Sequence, residues 1–464
     1  MLFNSIHFIL FFPILCLFYW IVPQVWKNIC LLIISYWIYF NWNPALATLL
    51  LFGITISTFV VPIIVLRFPL SKKFYLSIGV LLSLWPLLFF KYYNFINRTV
   101  SDLLSSWGLS ISFSSLDLLL PLGISFFTFQ ALGYMIDACS GKTSIEKNFI
   151  HYALFVAFFP QISSGPISKA NELLPQIKTV RFFDENKVVE GLKLLLWGMF
   201  LKVCIADPAG VYVDSVYSNY DTLSGAICFL GSLFYSIQIY TDFSGYSLMA
   251  VGVAKILGFD IINNFKRPYF AVSVTDFWRR WHISLSRWLK DYVYIPLGGN
   301  RVSKVRNYFN ILVTFFVSGL WHGANWTFIF WGLLHGLIQC IEKFLGLQSL
   351  EMNGIKKVRI FVTFFLINFI WVFFRMPTIS DAFSFIAHIF LSWNKGEVLT
   401  ISTMVWGVIG LLLIKEIRDE FFPKNFLVFN NSFRVVRWTG ELAVLFLILL
   451  WGTFDAGQFI YVNF

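Results

Sequence analysis

Two histidines, His322 and His335, stand in an apolar stretch that is long enough to be a membrane span. Residues 319–336, GLWHGANWTFIFWGLLHG, place His322 among aromatic and aliphatic side chains. Ionisable groups inside a membrane are costly, so such a histidine is a candidate for function. Neutral imidazole can accept a proton near neutral pH, and Gly319 and Gly323 leave space for a substrate to approach. His322 is therefore a candidate general base, with a hydrogen-bonded packing role as the alternative.

A second group of chemically useful residues forms a basic segment between Lys266 and Arg306. It contains nine basic residues against two acidic ones, a net charge of +7. Positive loops stay on the cytoplasmic side of a membrane, and dense Arg and Lys also suit phosphate groups. The segment is either a topology signal alone or a cytosolic surface that binds the phosphates of a donor. The candidate donor-binding residues are Arg279, Arg280, Arg287 and Lys290.

Residues 275–294 of the basic segment predict one amphipathic helix at the cytoplasmic interface. Trp278, Trp281 and Leu285 recur at the three- and four-residue steps of a helix face. His282 follows Trp281 and lies among arginines and a lysine, which makes it a second candidate for chemistry.

Further polar residues interrupt the apolar runs. Asp242, in YTDFSGYS, is expected to be a buried counter-ion for one of the arginines, and a structural role is favoured for it. Gly245 and Gly252 are seven residues apart, so they share a helix face and permit close helix packing. For His335 a packing role is expected, because it lies deep in an aromatic-rich span.

The composition excludes an ordinary soluble protein. Hydrophobic residues make up 58% of the 464 residues, and charged residues only 13%, against roughly 25% in soluble domains. We predict an all-α polytopic protein forming a single membrane domain over residues 1–464, with about eleven to thirteen spans. The apolar N-terminus resembles a retained first span. Residues 151–176 break at Pro160, Gly165 and Pro166, so they predict a re-entrant segment.

Several classes of function find no support. The six cysteines are scattered without a CxxC, so neither a disulfide framework nor a metal site is expected. No GxSxG elbow, P-loop or dinucleotide-binding GxGxxG is visible. The net charge of +11 comes without a nucleic-acid motif, so no nucleic-acid partner is expected.

Five motifs, in order, resemble the membrane-bound O-acyltransferase (MBOAT) family. They are PLGISFFTFQALGYMIDA, FFPQISSGPI, YTDFSGYS, DFWRRWHISLSRWLKDYVYIPLGGNR and SGLWHGANWTFIFWGLLHG. The closing FIYVNF resembles the usual FIYFQF of the bacterial branch typified by the membrane subunit of alginate O-acetylation. The resemblance runs from about Phe3 to Phe464. Leu248 replaces the second acid of the common DFSGYSDMA, which leaves the role of that carboxylate open, and residues 164–167 read SGPI where AGPI is frequent.

The resemblance implies a fold, a site and an activity. The fold is a ring of tilted helices around a thin central funnel, with re-entrant and interfacial helices. The residue matching the catalytic histidine is His322, and His282 matches its essential companion. Bacterial members sit as multi-pass proteins in the inner membrane and take acetyl groups from a cytoplasmic thioester across it. A periplasmic SGNH-type O-acetyltransferase partner then places the acetyl groups on a polysaccharide or cell-wall glycan.

The chemistry of the residues and the family resemblance together indicate one mechanism and leave alternatives open. His322 is the expected base, and His282 orients the thioester or balances the oxyanion, with Trp321 and Trp281 in support. Asn325 is a second oxyanion candidate, and helix capping is an equally open role for it. The donor is acetyl-CoA or a related thioester, with no cofactor and no metal. The alternatives are D-alanyl transfer to teichoic acid and a non-catalytic transporter, although paired halves of the transporter type are not seen.

Overall fold

The computed structural model describes residues 3–109, 114–117, 119–348, 355–423 and 428–454, so the FIYVNF ending lies outside the described residues. Within these ranges the regular elements are helices and no strand is present. Three helical stretches are long and apolar enough to cross a membrane: Ala45–Arg67, Pro69–Ser106 and Lys356–Arg375. The protein is therefore an all-α, multi-pass membrane protein, as predicted; the total of eleven to thirteen spans stays a prediction.

The chain divides into two compact units. The first comprises Ile6–Val189 and Val253–Ile262, and the second comprises Phe3–Ser5, Glu190–Gly252 and the chain from Asn263 onward. The helices up to residue 178 are α1 (Ile6–Ile21), α2 (Gln24–Trp42), α3 (Ala45–Arg67), α4 (Lys72–Ser106), α5 (Ile124–Cys139), α6 (Phe149–Ala157), α7 (Phe159–Ile162) and α8 (Ala170–Lys178).

The remaining helices carry the candidate site residues or directly flank them. They are α9 (Glu185–Phe200), α10 (Asp207–Ser218), α11 (Gly225–Ile256), α12 (Val274–Arg280), α13 (Ile283–Leu289), α14 (Lys304–His322), α15 (Trp326–Phe344), α16 (Lys356–Arg375), α17 (Ile379–Leu391), α18 (Thr403–Phe421) and α19 (Arg434–Trp451). A π-helical turn, Leu201–Ala206, joins α9 to α10, and a second, Lys290–Tyr294, follows α13. Such turns are frequent at functional sites.

The helix break predicted within residues 151–176 is confirmed. Helix α6 ends at Ala157, and the four-residue α7 leads into an irregular loop that runs up to α8. The Gln161 amide donates to the Pro166 carbonyl oxygen at 2.7 Å, and the Ser168 N–H donates to Gln130 Oε1 at 3.2 Å. This irregular backbone is buried and hydrogen-bonded by protein, as a membrane-embedded loop would require; its depth in the membrane stays a prediction.

The close packing predicted for Gly245 and Gly252 is also confirmed. A Cβ atom on Gly245 would lie 2.7 Å from the carbonyl oxygen of Gly198, and one on Gly252 would lie 2.6 Å from that of Gly191. Helices α9 and α11 therefore touch backbone to backbone along two helical turns, which only glycine permits.

Candidate active site

His322 is the last residue of α14, directly before the chain turns into α15. Asn325 caps α15, since its Oδ1 accepts from the Thr327 N–H at 3.1 Å while its Nδ2 donates to the Pro377 carbonyl at 3.0 Å. The capping role left open by the sequence is therefore present. A part for Asn325 at an oxyanion stays a prediction.

The glycines beside His322 do not open space for a substrate, so that expectation is wrong. A Cβ atom on Gly319 would lie 2.4 Å from the carbonyl oxygen of Phe328, and one on Gly323 would lie 2.2 Å from the Phe328 ring. Both positions are filled by α15, so these glycines serve the packing of α14 on α15 and hold His322 at their junction.

Aromatic rings surround the His322 imidazole, which is only 1% exposed. The ring centroids of Trp321, Trp331 and Phe374 lie 5.0, 4.9 and 5.3 Å from that of the imidazole, at interplanar angles of 86°, 85° and 74°. Edge-to-face contacts of this kind are favourable and directional. They fix the orientation of the imidazole in buried, aromatic surroundings.

The single helix predicted over residues 275–294 is wrong, because the chain breaks at His282. Helix α12 ends at Arg280, α13 begins at Ile283, and His282 adopts a left-handed conformation with φ of 42°. The backbone carbonyl of Asn264 accepts from the Ile283 N–H at 3.0 Å, and its Oδ1 accepts from the Ser284 N–H at 3.1 Å. Asn264 thus supplies the acceptors that the first turn of α13 needs. Non-glycine residues held in this conformation are strained and cluster at active sites.

The break turns His282 into the same aromatic cluster as His322. Its ring centroid lies 4.7 Å from that of Phe243 and 5.6 Å from that of Trp321, the tryptophan that also contacts His322. The structure therefore brings the two predicted histidines together around one ring. Burial lowers the pKa of His282 to about 3, so this side chain is neutral at physiological pH.

The remaining tryptophans of the cluster tie the basic segment to α15 and α16. Trp281 packs 5.1 Å from Trp371, which stacks 5.6 Å from Trp331. The indole N–H of Trp278 donates to His335 Nδ1 at 3.3 Å. The packing role expected for His335 fits these contacts, whereas supporting roles for Trp281 and Trp321 stay predictions.

A pocket of about 360 Å³ lies beside this cluster, between the basic segment and helices α14 and α15. Three of its lining residues are basic, Arg279, Lys290 and Lys343, and none of the described lining residues is acidic. Lys343 is not among the residues predicted from the sequence, although it shares a helix face with Gln339, four residues earlier on α15 and also in the pocket wall. The pocket is suited to an anion.

The other two predicted donor-binding arginines, Arg280 and Arg287, are not among the described residues that line this pocket. Arg280 pairs with Asp276 at 3.0 Å and with Glu420 at 3.1 Å. Burial alone would raise the pKa of Glu420, but hydrogen bonds from Arg267 and Arg280 hold it below its ordinary value. A structural role for Arg280 is thereby favoured over the predicted contact with a donor.

In the described part of the chain Asp242 pairs with a lysine, where an arginine was expected. The Lys202 ammonium lies 2.7 Å from Asp242 and 2.7 Å from Asp207, with all three side chains almost fully buried. Lys202 belongs to the π-helical turn between α9 and α10. This buried triad holds α11 beside that turn. Asp242 directly precedes Phe243, whose ring contacts His282.

A helical membrane protein with paired buried histidines beside a basic pocket fits the class of membrane acyl-transfer enzymes. Residues 70–385 match the MBOAT, membrane-bound O-acyltransferase family, and the chain belongs to that family. The enzyme class is therefore O-acyltransferase.

The curated relatives are consistent with this assignment. The probable alginate O-acetylase of Pseudomonas aeruginosa is 37% identical over 427 residues, which covers 90% of this chain and 80% of that protein. The peptidoglycan O-acetyltransferase of Helicobacter pylori is 36% identical over 417 residues, covering 82% and 78%. The teichoic acid D-alanyltransferase of Streptococcus thermophilus is 30% identical over 271 residues, covering 52% and 65%.

Proposed function

We propose that this protein takes an acetyl group from acetyl-CoA or a related cytoplasmic thioester and delivers it across the bacterial inner membrane. The acetyl group is destined for an extracytoplasmic polysaccharide or cell-wall glycan. The observation that carries the proposal is the basic pocket, whose wall includes Ser318, one helical turn before His322. The names of the O-acetylating relatives, which match more than four-fifths of the chain, support the acetyl group.

The pocket residues suit the charged part of such a donor. Arg279 and Lys290 come from the basic segment and Lys343 from the end of α15. Charge-assisted hydrogen bonds from Arg and Lys to phosphate are among the stronger polar contacts in proteins. In this arrangement the phosphates lie near the three cations, and the thioester points toward α14.

His322 then acts as the general base. The acceptor oxygen forms a bond to the thioester carbonyl carbon as its proton passes to His322, and the carbonyl electron pair moves to oxygen. The oxyanion collapses, the carbon–sulfur bond breaks, and the thiolate takes the proton from His322. Positioned proton transfer of this kind typically contributes about 10²–10⁴ in rate. Neutral His282 orients the thioester or donates a hydrogen bond toward the developing oxyanion.

The charge distribution supports an orientation. The basic segment and its pocket face the cytosol, where the thioester is made, because positive segments are retained on that side. The acetyl group then leaves on the opposite face to a periplasmic SGNH-type O-acetyltransferase partner. Membrane lipid surrounds the candidate spans.

D-alanyl transfer is the second candidate reaction on the same fold. The D-alanyltransferase of Streptococcus thermophilus matches only about half of this chain, which favours acetyl transfer.

An assay of the purified protein in proteoliposomes distinguishes the two reactions, with radiolabelled acetyl-CoA or a carrier-bound D-alanyl thioester offered as the donor. We expect acceptor-dependent release of CoA with the first donor only. Release from the D-alanyl donor alone would overturn the proposal in favour of the second candidate. Inactivity toward both donors, with a relative active in the same vesicles, would contradict acyl transfer from these thioesters.

A further inference from the structure

Ser318 is a buried hydroxyl with an unusual environment. It lies on α14, is 1% exposed and lines the basic pocket. Its Oγ has no hydrogen-bond partner within the described part of the chain. Buried polar side chains are nearly always hydrogen-bonded, so an unsatisfied one calls for an explanation.

Thr314, one turn earlier on α14 and also in the pocket wall, shows what a helical hydroxyl ordinarily does. Its Oγ1 donates to the carbonyl oxygen of Asn310 at 2.7 Å, four residues back. This back-bond is the usual solution for Ser and Thr inside a helix. The Ser318 hydroxyl does not make it, so its hydrogen-bonding capacity is available to the pocket.

The position of Ser318 relates the pocket to His322. Residues four apart on a helix lie on the same face, with Cβ atoms roughly 5–6 Å apart, and His322 is four residues after Ser318. At the pocket's other walls are the cations Arg279, Lys290 and Lys343. A donor whose phosphates bind these cations therefore lies in the pocket that Ser318 lines, on the face of α14 that also carries His322.

We propose that the Ser318 hydroxyl donates a hydrogen bond to the thioester carbonyl oxygen and stabilises the oxyanion as the acceptor attacks. The inference rests on the proposed function and adds a catalytic residue to it. Ser318 gains and loses no proton: it donates while the carbonyl electron pair resides on oxygen, and its hydrogen bond weakens when the carbon–sulfur bond breaks.

Removal of the Ser318 hydroxyl should lower activity without lowering stability. Ser318→Ala removes a hydroxyl that has no partner, so the melting temperature should stay unchanged or rise. The same change should lower kcat at least tenfold, toward the 10²–10³-fold loss seen when an oxyanion donor is removed, with little effect on the donor KM. Ser318→Cys retains a weak donor and should fall between wild type and Ala.

Ser83→Ala on α4 is the matched control, because this serine is also buried but its hydroxyl donates to the Gly79 carbonyl oxygen of its own helix at 2.7 Å. It should keep kcat within about twofold of wild type. The inference fails if Ser318→Ala retains kcat, if only the KM changes, or if the loss of kcat is accompanied by a lower melting temperature. If the wild-type protein transfers acetyl groups while Ser318→Ala is fully active, only the role of Ser318 falls. If the wild type transfers none, the proposed function falls and the role of Ser318 with it.

Discussion

At the residue scale, two neighbouring arginines have different environments. Arg279 lines the pocket, whereas Arg280 is held by Asp276 and Glu420. The sequence indicates that this segment is basic, but it does not tell which arginine is available to a ligand. That depends on Glu420, which lies 140 residues away in the chain, and such partners are fixed only by the fold.

This difference makes a prediction. Arg279→Gln and Lys290→Gln should each weaken donor affinity by roughly 1.5–3 kcal/mol, the range for hydrogen bonds to charged groups, or about one to two decades in Kd. Arg280→Gln should leave donor affinity nearly unchanged and lower the melting temperature, because it leaves Glu420 with less compensation. Equilibrium binding of acetyl-CoA and thermal unfolding in detergent check both halves. Equal weakening in all three variants would contradict the assignment.

His282 gives a prediction on pH. Its pKa is about 3 in the folded protein and about 6.5 when unfolded, so between these values the unfolded state binds the extra proton. Its neutral burial therefore favours folding fully above pH 6.5, and that contribution is lost as the pH falls toward 3. The wild-type protein should lose more stability between pH 7.5 and 5.5 than His282→Gln does. Identical losses in thermal unfolding scans would show that His282 does not titrate on unfolding.

At the element scale, helix breaks and helix contacts position the site. The hydrophobic spacing predicts one helix over residues 275–294, but the structure has a break there. Asn264 provides two hydrogen-bond acceptors for the first N–H groups of a new helix, which begins at Ile283. Local periodicity cannot reveal a cap supplied from a preceding loop. By contrast, the seven-residue spacing of Gly245 and Gly252 predicts a close helix contact correctly, since that signal is contained within one helix.

The glycine contacts give a prediction for helix packing. Gly245→Ala and Gly252→Ala should each destabilise the protein by about 1–3 kcal/mol, the usual cost of overpacking, because the added methyl group meets backbone on α9. Gly407→Ala and Gly410→Ala on α18 are matched controls, with nothing within 4 Å of the added Cβ atom, and should be neutral or slightly stabilising. Melting temperatures of the four variants decide the matter, and an equal response in both pairs would contradict the contact.

At the scale of the whole molecule, composition and charge predict the class of protein and its orientation in the membrane, although they do not identify which residues contact each other. With only 13% charged residues, the chain has to place apolar helices in lipid, and the described residues contain candidate spans accordingly. The predicted orientation follows from the density of Lys and Arg in the basic segment and is independent of the site's details.

That orientation is testable at Asn300, an exposed residue in the turn before α14. In a background without the six native cysteines, Asn300→Cys should react with a membrane-impermeant thiol reagent only after the inner face is opened. Ser303 is less suitable because its side chain caps α14. Labelling in intact spheroplasts would place the basic pocket on the outer face and remove the cytoplasmic donor route.

The most direct test of the account is turnover by a His322 variant. His322→Gln is preferable to Ala, because three aromatic rings pack on this side chain and Gln keeps most of its volume. The measurement is the rate of acceptor-dependent CoA release from acetyl-CoA by purified protein in proteoliposomes. Donor binding and melting temperature confirm that the variant is intact. The account predicts that turnover falls by at least the ~10² expected for loss of a general base while acetyl-CoA still binds. A folded, donor-binding His322→Gln protein that keeps more than a tenth of wild-type turnover would contradict it.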